Sequence, residues 1–142
     1  KIHMNGLLVL NFVKRTIIPH IDQFVRKNGL PKEDIGYFCM HQASKLALDL
    51  IKNKFSVPND KFLTNLDKVG NTVSSSLPIL IKDHKECLNI ARKQNLLISG
   101  FGVGYSWGSA LAELKIGTCF RTEVTSSRLP YANLYFIKLK IT

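Results

Sequence analysis

The sequence predicts a layered α/β fold with largely parallel strand pairing. Three observations carry the prediction. Short apolar runs alternate with longer stretches whose apolar residues recur at helical spacing. Two of the short runs lead into a polar or small-residue segment that opens the next helix. The resulting order is α-β-α-β-α-β-β. Strands that alternate with helices imply layered packing and largely parallel pairing.

The elements follow in order. From Leu7 to Lys27, Leu10, Val13, Ile17, Ile18, Ile21, Phe24 and Val25 fall at helical spacing, with Pro19 inside, which predicts a bent helix. "NGLP", Asn28 to Pro31, is a helix stop. Ile35 to Met40 reads as a short buried strand. Gln42 to Phe55 reads as a helix with Leu46, Leu50 and Ile51 on one face. "VPND" is a turn, and Phe62 to Leu66 a strand. Thr72 to Lys93 reads as one long helix that starts in small residues and carries Pro78. Asn95 to Ser99 is a strand, "GFGVG" a tight turn, and Tyr105 to Leu114 another strand. Residues 115–142 lose the helical period. Leu134 to Ile141 looks like a strand with no place in the α/β order. The expected organisation is therefore a unit over 1–114 and a tail over 115–142.

Composition bounds the function. The chain has 142 residues, 45% of them apolar and 21% charged, enough for one domain or a piece of one with a core. No apolar run approaches the ~20 residues that cross a bilayer, so no membrane role is expected. The run Gly6 to Val13 is short, contains Asn11 and is followed by Lys14 and Arg15, so a signal peptide is not expected. Cys39, Cys87 and Cys119 show no CxxC spacing and cannot all pair within the chain. That suits a reducing, cytoplasmic setting without a disulfide framework or zinc site. His3, His20 and His84 form no metal spacing, so no metal is expected. The net charge of +10 favours an acidic partner. The basic residues are scattered, however, and a solvated surface with a basic tail explains them equally well.

The chemistry gathers at junctions. In "YFCMHQASK", His41 closes a strand and polar residues open a helix. Ligands of α/β sheets collect at the carboxyl ends of strands. "VGNTVSSSLP" places Gly70, which permits unusual backbone angles, and Asn71 before the long helix. "SGFGVGYSWGSAL" offers backbone donors in a glycine-rich turn. An imidazole, an amide and backbone N–H groups can together stabilise negative charge on a carbonyl oxygen. Each has a plainer alternative. A histidine at a strand end is commonly structural, Asn after Gly is commonly a turn residue or cap, and "GFGVG" is not a dinucleotide motif. Cys39 lies two residues before His41, yet a cysteine inside an apolar strand is more often core than nucleophile.

"HQAS", "VGNTVSSSLP" and "GFGVGYSWGSAL", in this order and with these separations, resemble the C-terminal half of β-ketoacyl-acyl carrier protein synthase III, of the thiolase fold. "HMNG", His3 to Gly6, resembles that family's segment before a helix. The resemblance covers about residues 2–114 and implies α-β-α layers around a mixed, five-stranded-type sheet. It implies that His41 and Asn71 are the histidine and asparagine of a Cys-His-Asn triad, and that Ser44, Phe101 and Val103 contribute to substrate binding. It implies an acyltransferase of fatty acid biosynthesis. A cysteine takes an acyl group from acyl-CoA, and malonyl-acyl carrier protein then decarboxylates and attacks it. No cofactor beyond these substrates is implied, nor any nucleic acid. Expected partners are acyl carrier protein, the family's N-terminal half, and a second copy in a homodimer.

Departures from the pattern are specific. The nucleophilic cysteine of the family belongs to the N-terminal half, and none of the three cysteines here matches it. Val103 replaces a family glycine, and Ser44 the family's asparagine. Leu46 occupies the family's basic carrier-docking position, which leaves Lys45, Lys52 and Lys54 as the candidate docking patch. Two alternatives stay open: a related condensing enzyme of secondary metabolism or of hydroxymethylglutaryl-CoA synthase type, and a non-catalytic acyl- or carrier-binding remnant.

Overall fold

The structure, a computed structural model, describes residues 6–90, 94–102, 106–114 and 139–141. The first helical stretch is α1 (Gly6–Phe12), a π-helical turn (Val13–Ile17) and α2 (Ile18–Lys27). Pro19 explains the interruption. It has no N–H for the carbonyl four residues back, and its ring crowds that carbonyl. The chain widens there, and the Ile18 N–H bonds to Val13 O, five residues back. The predicted stop holds: Gly29 has φ 62°, and the Asn28 amide donates to Phe24 O at 2.8 Å.

β1 (Ile35–Met40) has the predicted bounds. The next helix, α3 (Lys45–Phe55), begins three residues later than predicted, because Ser44 is extended and its Oγ accepts the Ala47 N–H at 3.3 Å as an N-cap. Its buried face is Ala47, Leu48, Ile51 and Phe55, while Leu46 is 55% exposed. Of the predicted face only Ile51 is in the core; packing on the sheet selects the stripe of Ala47, Ile51 and Phe55 over that of Leu46 and Leu50. β2 shortens to Phe62–Leu63, and α4 (Leu66–Val69) takes what was read as the strand's end.

The long helix predicted over Thr72 to Lys93 is also broken. A 3₁₀ turn (Val73–Ser75) leads into α5 (Ser76–Asp83), and α6 (Lys85–Ile90) follows after His84, which leaves helical angles. Residues 91–93 lie outside the described set. Pro78 is harmless because it falls in the first turn of α5, where N–H groups have no intrahelical partner. β3 (Gln94–Gly102) and β4 (Ser106–Leu114) complete the hairpin.

The sheet is mixed, with order β2-β1-β3-β4: β1 lies parallel to β2 and β3, and β3 antiparallel to β4. Of the tail, the described part is β5 (Leu139–Ile141), antiparallel to Ala110–Ala112 of β4. Cys119 and the rest of the tail lie outside the described residues. Register in β1 shifts between Ile35 and Tyr37, and a side chain at Gly36 would collide with Gln94. The extra residue puts Ile35 on the same face as Phe38 and Met40.

Two cores sandwich the sheet. Ile17, Ile21 and Phe24 beside α3's Ala47, Ile51 and Phe55 pack with Phe38, Met40, Leu97 and Phe101. On the other face, Leu80 of α5 and Leu88 of α6 pack with Cys39, Leu63, Leu96 and Ala112. Alternation along β3, with Leu96 in one core and Leu97 in the other, gives the α-β-α layering. No described helix is long and apolar enough to cross a membrane.

Candidate active site

His41 follows β1 directly and is half-buried. Three contacts hold it. Its backbone N–H donates to Ser99 O on β3 at 2.9 Å, which extends the parallel pairing one residue past the strand. Its ring meets Phe101 edge to face, with centroids 5.3 Å apart and planes at 89°. Its Nδ1 lies 2.6 Å from Ser76 Oγ, at the start of α5. Burial pulls the imidazole below the usual histidine range, so the ring is neutral at physiological pH.

Asn71 reaches the same place from the loop after α4. Gly70, at φ 67°, turns the chain as the sequence reading expected. The Asn71 Nδ2 donates to Ala43 O at 3.3 Å, and Oδ1 accepts the Val73 N–H at 2.9 Å. An amide carries two N–H bonds, so Nδ2 keeps a second donor. Val73 has φ 54°, unusual for a β-branched residue and costly by ~1–3 kcal/mol. The Asn71 side chain bonds that strained turn while its amide reaches the segment after His41. The structure thus gathers His41, Phe101 and Asn71 at the ends of β1 and β3 and in the loop beyond β2.

Gln42 was read as the opening of a helix; it is a fully buried anchor instead. Its Nε2 donates to Met40 O at 2.8 Å. Its Oε1 accepts from Thr64 Oγ1 at 3.1 Å and from the Asn65 N–H at 3.2 Å. Asn65 in turn donates to Asp83 Oδ2 at 2.6 Å. The path to Asn71 is thereby tied to both β1 and α5. The available signal is a polar residue next to an apolar strand, but two of its three partners, Thr64 and Asn65, lie more than 20 residues away. Gln42→Ala should cost ~2–3 kcal/mol, since it orphans several buried groups. Thermal unfolding should show a midpoint lower by roughly 5–10 °C; an unchanged midpoint would show that the loop needs no such tie.

The remaining site candidates separate. Ser44 is exposed and serves as the α3 cap. Val103 lies outside the described residues. Lys45 and Lys52, seven residues apart, share one stripe of α3, whereas Lys54 lies about 180° from Lys45 on a regular helix. The three therefore do not make one patch, and Lys52 donates to Asn59 Oδ1. Cys39 is fully buried, and desolvation pushes its thiol up to about 12. It belongs to the core with Leu63, Leu80 and Leu96 and is no partner for His41. Among the described residues no group of three His, Cys, Asp or Glu could hold a metal ion. A cleft of about 340 Å³ lined by Leu8, Asn11, Phe12, Arg15, Thr16 and Trp107 contains none of these site residues.

Fold and site define a layered α/β protein with a histidine at a strand end and an asparagine on a neighbouring loop. Comparison with known proteins identifies the family. The profile for the C-terminal part of 3-oxoacyl-[acyl-carrier-protein] synthase III matches residues 25–114, and the chain belongs to this family. The β-ketoacyl-[acyl-carrier-protein] synthase III of Streptococcus pyogenes serotype M49 (strain NZ131) is 36% identical over 115 residues, covering 80% of this chain and 36% of the relative. Among solved structures, a 3-oxoacyl-(acyl-carrier-protein) synthase III matches with TM-score 0.71 and 37% identity over 77% of this chain and 32% of that one. The synthase III of Thermus thermophilus matches with TM-score 0.72 and 29% identity over 82% of this chain and 36% of that one. The chain spans about a third of the length of these relatives.

Proposed function

We propose that this chain forms the malonyl-activating half of a 3-oxoacyl-acyl carrier protein synthase III-like condensing enzyme. One observation carries the reading: the Asn71 amide is bonded to Ala43 O, two residues from a neutral, half-buried His41. Two neutral donors on adjacent loops suit an oxygen that gains negative charge.

In this reading malonyl-acyl carrier protein binds with its thioester oxygen facing His41 Nε2 and Asn71 Nδ2. The bond between the α-carbon and the carboxylate breaks, and CO₂ leaves. The electron pair moves onto the α-carbon and is delocalised to the thioester oxygen as an enolate. The two N–H donors stabilise that charge. The enolate carbon then attacks an acyl thioester held on a cysteine of the family's N-terminal half, and that cysteine leaves as the thiolate. The reading calls for no resident cofactor or metal, because the thioesters carry both reacting groups. Lys45, on an exposed turn of α3, is available to an acidic carrier protein. A homodimer and a cytoplasmic setting belong to the same proposal.

Reconstitution tests it. Acyl-CoA and malonyl-acyl carrier protein should give the 3-oxoacyl product only when this chain is combined with a cysteine-bearing N-terminal half. Product from neither arrangement, alongside intact carrier binding, would favour a non-catalytic binding role.

A further inference from the structure

We propose that Ser76 is a positioning residue that sets the tautomer of His41, presenting the imidazole with its proton on Nε2. The proposal deepens the functional reading above and rests on it for its catalytic meaning. The geometry itself is independent of that reading.

Ser76 is the first residue of α5, is 1% exposed, and holds its Oγ 2.6 Å from His41 Nδ1. Among the described residues this is the only hydrogen bond its hydroxyl makes. A buried hydroxyl must place its proton on an acceptor, because a buried polar group left unmet is costly. Nδ1 supplies that acceptor only when the ring's proton is on Nε2. In the opposite tautomer, Nδ1–H would point at Ser76 Oγ. The serine proton would then have no acceptor, and Nε2 would be a bare lone pair. The short contact is therefore Ser76 O–H donating to Nδ1.

The other two contacts cannot make this choice. The bond from the His41 backbone to Ser99 fixes the chain, and the edge-to-face contact with Phe101 fixes the plane of the ring. Neither distinguishes one ring nitrogen from the other. Burial favours the neutral ring, in which one nitrogen carries hydrogen, and which one decides whether the ring can donate to an enolate oxygen. A bare Nε2 would repel that oxygen.

The test is ¹⁵N NMR of the chain labelled at its histidines, with His41 assigned from the signal missing in His41→Gln. The unmutated chain should show a single neutral tautomer with hydrogen on Nε2. Ser76→Ala should give a mixture of both tautomers, whereas Ser76→Thr, which keeps a hydroxyl, should retain the unmutated pattern. In the reconstituted enzyme Ser76→Ala should lower malonyl decarboxylation about tenfold and leave acyl transfer to the cysteine unchanged. Hydrogen on Nδ1 in the unmutated chain would overturn the proposal, and that spectrum decides even where Ser76→Ala fails to fold. A single Nε2–H tautomer that persists in folded Ser76→Ala would overturn it as well. If His41→Ala left decarboxylation untouched while the Ser76 variants shifted the tautomer as stated, the functional reading would fail and the role of Ser76 would stand.

Discussion

His41→Ala, in protein assembled from this chain and a cysteine-bearing half, should lower malonyl decarboxylation by on the order of 10²–10³, and Asn71→Ala by a similar factor. Each change removes one preorganised N–H donor from an oxygen that becomes charged as CO₂ leaves. The double variant should lose far less than the product of the two factors, because both donors serve one oxygen. Acyl transfer from acyl-CoA to the cysteine should suffer less, since that step depends chiefly on the nucleophile. Decarboxylation and acylation measured separately decide the assignment. If both variants decarboxylate malonyl thioester at the unmutated rate, His41 is a structural histidine at a strand end.

The chain by itself should not form a thioester at Cys39 when incubated with radiolabelled acyl-CoA. The thiolate is the nucleophile. With its thiol pushed up to about 12, Cys39 is held as the thiol at neutral pH. Cys39 is also fully buried, in a core with Leu63 and Leu80, where no acyl-CoA can reach it. The expected deficit against an activated cysteine is therefore several orders of magnitude. Stoichiometric label on Cys39 would reject this placement and restore a Cys39–His41 pair as the chemical centre.

Some of this protein is local enough to be read without a structure. The bounds of β1, Ile35 to Met40, follow from a short apolar run between polar segments. The stop at "NGLP" and the turn at Gly70 follow from residues whose backbone preferences differ from all others. His41 stands at the end of β1, as its motif implies, whereas Asn71, expected at a strand-to-helix junction, lies in the loop after α4. An interruption near Pro19 is expected as well, since a missing N–H is a property of that residue alone, and it takes the form of a π-helical turn.

The tertiary structure decided the rest, wherever two local solutions were equally good or the partners lay far apart in the chain. Leu46 and Leu50 repeat at i, i+4 as well as Ala47 and Ile51 do. Only packing against Phe38 and Phe62 selects the second stripe and leaves Leu46 exposed. The helix predicted over Thr72 to Lys93 is instead a 3₁₀ turn and two helices that part at His84, with Leu80 of α5 and Leu88 of α6 in the same core. Gln42 looked like the start of a helix, and its bonds to Thr64 and Asn65 exist only after β2 lies beside β1. The chemical identity of His41 was legible; the atom that carries its proton was not. That depends on a hydroxyl 35 residues away, brought to Nδ1 when α5 packs across the end of β1. Sequence by itself determined which groups stand at the strand ends. Folding determined which of their atoms face one another, because hydrogen bonds and buried faces are properties of three-dimensional neighbours.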